Sequence, residues 1–177
     1  MGRCPTIETE RLILRPFREG DLDAYTEMLQ SAEVRASLHL PDDVGREQAW
    51  SGMAAWLGQW ELRGTGQWAV VERSTGAFLG RAGMHLPERD DWPGIEIGWA
   101  FHPRSWGKGY ATEAGTVAVE YAFAHHDVDA LYSLILPENT RSQVVAQRLG
   151  FTLLEMRTTS HFPEAPHGFW RLPRPAA

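Results

Sequence analysis

The sequence contains a single cysteine, Cys4, so no disulfide can close within the chain, and a reducing compartment suits it. No apolar run approaches the roughly 20 residues that span a bilayer, and no signal-type hydrophobic stretch opens the chain. A soluble, cytoplasmic protein without a membrane partner is expected. Met1, Gly2 and Thr6 fit the permissive myristoylation pattern, with nothing beside them to suggest an anchor. Positive charge is scarce as well: 17 Lys and Arg stand against 23 Asp and Glu, and the net charge of −6 offers nucleic acid little attraction. The 7 histidines show no paired metal-ligand spacing, so no metal is expected. No Ser–His–Asp or Cys–His arrangement is readable, which argues against a covalent intermediate. Two phosphate-binding patterns are missing too. A Walker loop would need glycine at His102 and a hydroxyl residue at Gly109, and the dinucleotide fingerprint would need glycine at Thr112.

What is present is enough apolar material for one core. The chain has 177 residues, 43% of them hydrophobic and 8 of them Trp, and a domain of this size removes roughly two-thirds of its unfolded surface from water. One domain over residues 1–177 is expected, with its core at about 8–172 and a frayed tail at 173–177. Alternation over Arg11–Phe17 predicts a strand. Asp21 is placed to cap a helix to about Gln30, and a second helix is expected over Gly45–Arg63, with Trp50, Met53, Leu57 and Trp60 as its apolar stripe. A hairpin follows over 67–86 with its turn at Ser74-Thr75-Gly76, then a charged loop over 87–94 and a strand over Ile95–Phe101. The remainder reads as a helix over 108–125, a strand over 130–136, a short helix over 139–149 closed by Gly150, and strands over 151–159 and 168–172. The expected class is α/β (α+β): a mixed, mostly antiparallel sheet of about seven strands with helices on both faces.

The informative stretch is Ile95–Glu113, where a strand ends at Pro103 and two glycines open a helix. The first helical turn presents backbone N–H groups without internal partners, at the positive end of the helix dipole. A phosphate can take those hydrogen bonds, and Gly107 and Gly109 let it approach the backbone closely. Arg104 and Lys108 add charge nearby.

The pattern Arg104-x-x-Gly107-x-Gly109 between this strand and this helix resembles the coenzyme A signature of the GNAT superfamily of N-acetyltransferases. The longer run Glu96-Ile97-Gly98-Trp99 through Trp106-Gly107-Lys108-Gly109-Tyr110-Ala111-Thr112-Glu113-Ala114 is similar to the branch that includes the ribosomal-protein N-terminal acetyltransferases. Thr9-Glu10-Arg11-Leu12-Ile13-Leu14-Arg15, Asn139-Thr140-Arg141-Ser142 and Arg148-Leu149-Gly150-Phe151 match that branch too. The resemblance implies a GNAT-like domain with a V-shaped opening between strands 95–101 and 130–136, and acetyl-CoA as co-substrate. It further implies that backbone groups of Trp99 and Phe101 pair with the pantetheine arm. The pyrophosphate would rest on the amides of Trp106, Gly107, Lys108, Gly109, Tyr110 and Ala111, near Thr112, and Asn139 would hold the arm. Homodimers are common among such proteins, though these residues do not specify one.

Acetyl transfer to an amine needs the amine deprotonated, the oxyanion stabilised and the thiolate accommodated. Strand alternation sets Glu96 beside the small Gly98 and Ala100, with room for a ligand, and makes it the candidate base. In the resembling enzymes the matching glutamate has that role. Ser142, three residues after Asn139, is the candidate proton donor to the thiolate. Many family members carry a tyrosine four residues beyond; here that position is Ala146. The expected acceptor is an amine: a protein N-terminus, an amino acid, a polyamine or an aminoglycoside-like molecule. Its pocket is expected between the first two helices, 87–94 and 161–167, lined by Trp50, Trp56, Trp60 and Trp92, with Asp42, Asp43 and Glu47 as candidates to attract a cation. The alternative function is a non-catalytic acyl-CoA-binding sensor.

Overall fold

A computed structural model describes residues 4–176. Residues 1–3, where the myristoylation pattern begins, lie outside the described residues. Strand β1 (Ile7–Glu8) pairs antiparallel with β2 (Leu12–Arg15), in which Leu12 and Leu14 point inward, fully buried. Two helices follow, α1 (Leu22–Gln30) and α2 (Ala32–Leu38), the second capped by Ser31, whose hydroxyl accepts from the Val34 amide at 3.5 Å. Helix α3 (Arg46–Arg63) ends at Gly64, which takes the left-handed conformation (φ 65°) that closes many helices.

The meander β3 (Gln67–Glu72), β4 (Phe78–His85) and β5 (Glu96–Phe101) is antiparallel throughout. Helix α4 (Tyr110–His125) carries the chain across to β6 (Ala130–Ile135), which lies parallel to β5. Helix α5 (Thr140–Arg148), β7 (Thr152–Thr159) and β8 (Phe162–Pro173) complete the sheet in the order β1-β2-β3-β4-β5-β6-β8-β7.

Alternating side chains feed two cores. Leu12, Leu14, Trp68, Val70, Ile97 and Phe101 pack with Ala114, Ala118 and Ala122 of α4. Ala69, Val71 and Ala100, on the opposite face, join Tyr25, Met28, Val34 and Met53 of the first three helices. The sheet opens where β5 and β6 meet, for they register only at Glu96 and Tyr132 and then diverge. This is the expected V-shaped opening.

Several expectations need correction. The sheet has eight strands, because two-residue β1 adds to the seven expected. Helix α2 was not anticipated. On α3 the buried side chains are Ala49, Met53 and Trp60, whereas Trp50 and Leu57 of the expected stripe are exposed. Strand β8 begins at Phe162, not 168: Pro163 and Pro166 lie in the half that pairs with β7 alone, where no second neighbour requires their amides. The frayed tail expected from residue 173 does not begin there. Pro173 still pairs with Ala130, and the Arg174 guanidinium donates to the carbonyls of Phe123, His126 and Val128.

Candidate active site

The loop after β5 is shaped by local hydrogen bonds. His102 Nδ1 accepts from the Arg104 amide at 3.2 Å, and the Trp106 indole donates to the Phe101 carbonyl at 2.8 Å. Gly107 (φ 75°) and Gly109 (φ 81°) take left-handed conformations that side chains disfavour, and Gly109 is the residue from which α4 starts. The start of α4 is braced from β3 and from the residue before β2. Tyr110 donates its hydroxyl to Glu72 at 2.7 Å, and Arg11 donates to the Lys108 carbonyl at 2.8 Å. Glu113 in the first turn is held by Thr9 and by Arg11.

A cleft of about 780 Å³ opens over this helix start. Trp99, Phe101, Trp106, Gly107, Gly109 and Tyr110 line it, with Ala111 and Thr112 behind them. Asn139, Arg141, Ser142 and Arg148 face them from the α5 side, and α2 contributes Glu33 and Ser37. The Thr112 hydroxyl is buried here without a hydrogen-bond partner among the described residues. A Cβ built on Gly107 would meet no atom within 4 Å, so the space beside it is free for a ligand. An unpartnered hydroxyl, an open glycine and a helix N-terminus at one end of a long cleft fit a phosphate-bearing molecule.

Two predicted residues are not part of this lining. Arg104 turns to Glu27, 3.3 Å away, and the Lys108 side chain is exposed. Asn139 uses its Oδ1 to cap α5, accepting from the Ser142 amide at 3.1 Å. By strand alternation the main-chain groups of Trp99 and Phe101 face the gap toward β6, although the Phe101 carbonyl already accepts from Trp106.

A second cavity, about 200 Å³, lies on the α1–α3 side of the sheet and shares Trp99, Asn139 and Ser142 with the first. The Trp99 indole donates to Ser142 Oγ at 3.3 Å along this shared wall. Glu96 lines the smaller cavity, its side chain only 14% exposed. Its Oε2 lies 3.1 Å from His85 Nδ1, and its Oε1 accepts from the Leu134 amide at 3.4 Å. His85 sits edge-on to both Trp56 and Trp92. Of the four tryptophans expected here, Trp56 and Trp92 line the cavity, while Trp60 is core and Trp50 is exposed. Asp42, Asp43 and Glu47 are exposed and outside the lining. Sequence reasoning missed His85, Arg81 and Gln67, which reach the cavity because Arg81 and His85 pair with Ala100 and Glu96 and so share their face. The hairpin alternation carried that signal. Two further histidines border the cavity, and burial lowers the pKa of His161 and of His167 below the ordinary imidazole value. Among the described residues no group of three or more His, Cys, Asp or Glu is placed to hold a metal ion. Among the described residues no helix is long and apolar enough to cross a membrane.

A strand leading through a glycine turn to an open helix start, beside a forked sheet, is the frame of an acyl-CoA-dependent transferase. Residues 11–152 match the acetyltransferase (GNAT) domain family, and the chain belongs to that family. The uncharacterized N-acetyltransferase YoaA of Bacillus subtilis (strain 168) is 26% identical over 147 residues, which cover 83% of this chain and 82% of YoaA. The acetyltransferase from Agrobacterium tumefaciens str. C58 superposes with a TM-score of 0.81 at 31% identity, covering 95% of this chain and 94% of that one. A ribosomal-protein-S5-alanine acetyltransferase from Vibrio fischeri shares the fold, with a TM-score of 0.75, 15% identity and 96% of each chain covered.

Proposed function

We propose that this protein transfers the acetyl group of acetyl-CoA directly to a primary amine in a ternary complex. The observation that carries the reading is the junction of the two cavities. The larger runs from the start of α4 to Trp99, Asn139 and Ser142, and the smaller continues from those residues to Glu96. Acetyl-CoA supplies the activated acyl group. Its phosphates lie on the amides of residues 106–111 beside Thr112, and its arm follows the open edge of β5 along Trp99 and Phe101. The amine then reaches the thioester from the smaller cavity.

Glu96 accepts the amine's proton, directly or through water, and its bond with His85 holds the carboxylate in place. The amine nitrogen attacks the thioester carbonyl, the C–S bond breaks, and the thiolate leaves beside Ser142. The Ser142 hydroxyl accepts from Trp99, so its own proton is free to point at the sulfur. Ala146 is fully buried in the core, and no tyrosine takes part from that position.

Thiol release from acetyl-CoA across a library of amines and peptides tests the reading. Turnover is expected with at least one acceptor, and Gly107→Glu is expected to weaken acetyl-CoA binding at least about tenfold by placing charge and bulk where the phosphates lie. Unchanged affinity in that variant overturns the loop assignment. No thiol release with any acceptor overturns the enzyme reading.

A further inference from the structure

The smaller cavity is richer in cations than an amine pocket requires. Arg81 and Arg89 both line it, and among the described residues neither has a carboxylate partner. Arg81 stacks over Trp56, its guanidinium carbon 5.1 Å from the ring centroid, and donates to Gln67 Oε1 at 2.9 Å. Arg89 lies over Trp92 at 5.0 Å. The one carboxylate in the lining, Glu96, is engaged with His85 and the Leu134 amide.

Two donors add a second observation. Arg81 Nε and Trp92 Nε1 are both buried with no hydrogen-bond partner among the described residues. Leaving such groups unpaired is costly, and donors are satisfied only by an acceptor. A polyamine brings further cations and no acceptor. A carboxylate brings acceptors alone, with the charge that a guanidinium fork matches.

Resting on the acetyl-transfer reading above, we propose that the acceptor is an amino acid, whose carboxylate is received by Arg81 while its amine lies toward Glu96. Arg81 and His85 lie against the same Trp56 ring, so the carboxylate and amine sites adjoin one aromatic wall. Gly98, between Ala100 and Glu96 on β5, also lines the cavity, and the Gln67 amide that Arg81 engages lies over it. The cavity of about 200 Å³ suits one small molecule rather than an extended peptide. Arg81 is therefore a specificity-determining residue.

The test compares proteinogenic amino acids with their carboxamides and with the corresponding decarboxylated amines, alongside spermidine, using thiol release. At least one free acid is expected to exceed its carboxamide in kcat/KM by about tenfold or more. Arg81→Gln is expected to bring that ratio toward one, and Arg81→Lys to keep part of it. Equal or better turnover of carboxamides or spermidine overturns the inference and leaves the acetyltransferase reading standing. A ratio that survives in folded Arg81→Gln removes Arg81 from the role. Calorimetry of the wild-type protein saturated with coenzyme A gives a second readout independent of turnover: free acids bind and carboxamides do not. Equal binding, or none, overturns the proposal.

Discussion

Arg11 Nη2 stands 2.6 Å from Glu113 Oε2, tying an exposed residue just before β2 to the first turn of α4. Burial alone would raise the Glu113 carboxyl, but hydrogen bonds from Thr9 and Arg11 and the guanidinium charge bring it below its ordinary value. The acid is therefore ionised at the helix start, and Arg11 cancels a charge that would otherwise repel a phosphate. Arg11→Ala is expected to weaken acetyl-CoA binding by roughly 1 kcal/mol, about fivefold. Glu113→Gln in the same background should recover part of that loss. Calorimetric Kd values for the three proteins check the coupling.

Glu96→Gln preserves the shape of the cavity and removes the proposed proton acceptor. The expected result is a kcat lower by about 10² or more, with loss of the acidic limb of its pH profile. KM for acetyl-CoA should stay within about twofold, because Glu96 lies at the far end from the proposed phosphate site. A wild-type pH profile in the variant would assign the base elsewhere.

His167 makes stability depend on pH in a defined direction. Burial lowers its pKa, outweighing the bond that its Nδ1 makes with the Ala165 carbonyl at 2.7 Å. The folded state thus binds a proton less readily than the unfolded chain, so stability is lost as pH falls below the ordinary value of 6.5. His167→Gln should flatten the decline in Tm on the acid side of that value. An unchanged slope would assign the decline to other groups.

Cys4 is the one free cysteine, and burial pushes its thiol up to about 12. At pH 8 the folded protein should not react with a disulfide reagent, and one thiol should appear on denaturation. Rapid labelling of the folded protein would contradict the packing of Cys4 against the core. The same property keeps the background low in a thiol-release assay.

The glycine turn and its flanking elements were legible because their chemistry is local. A strand, a proline, two glycines and a helical stripe are written in consecutive residues, and β3 and β4 fall within the hairpin expected over 67–86. Helix α2 was not legible. It is seven residues long and follows α1 after Ser31 alone, so its short apolar pattern merged with the loop beyond. The smaller cavity was legible in part. Glu96 was found from its own strand, whereas Arg81 and His85 needed the register of β4 against β5. The α3 stripe was misread because tryptophan is amphipathic: Trp50 lies in solvent, while Ala49 fills the buried position beside it.

The fork between β5 and β6 divides the molecule mechanically. Five strands lie on one side and three on the other, joined across the sheet by the pairing of Glu96 with Tyr132 and by the Glu96 carboxylate on the Leu134 amide. A co-substrate laid into that fork acts as a rivet between two leaves. Saturation with coenzyme A should accordingly slow amide exchange in β6 and β8 together with β5, and the carboxylate proposed to take the proton also sits at the seam.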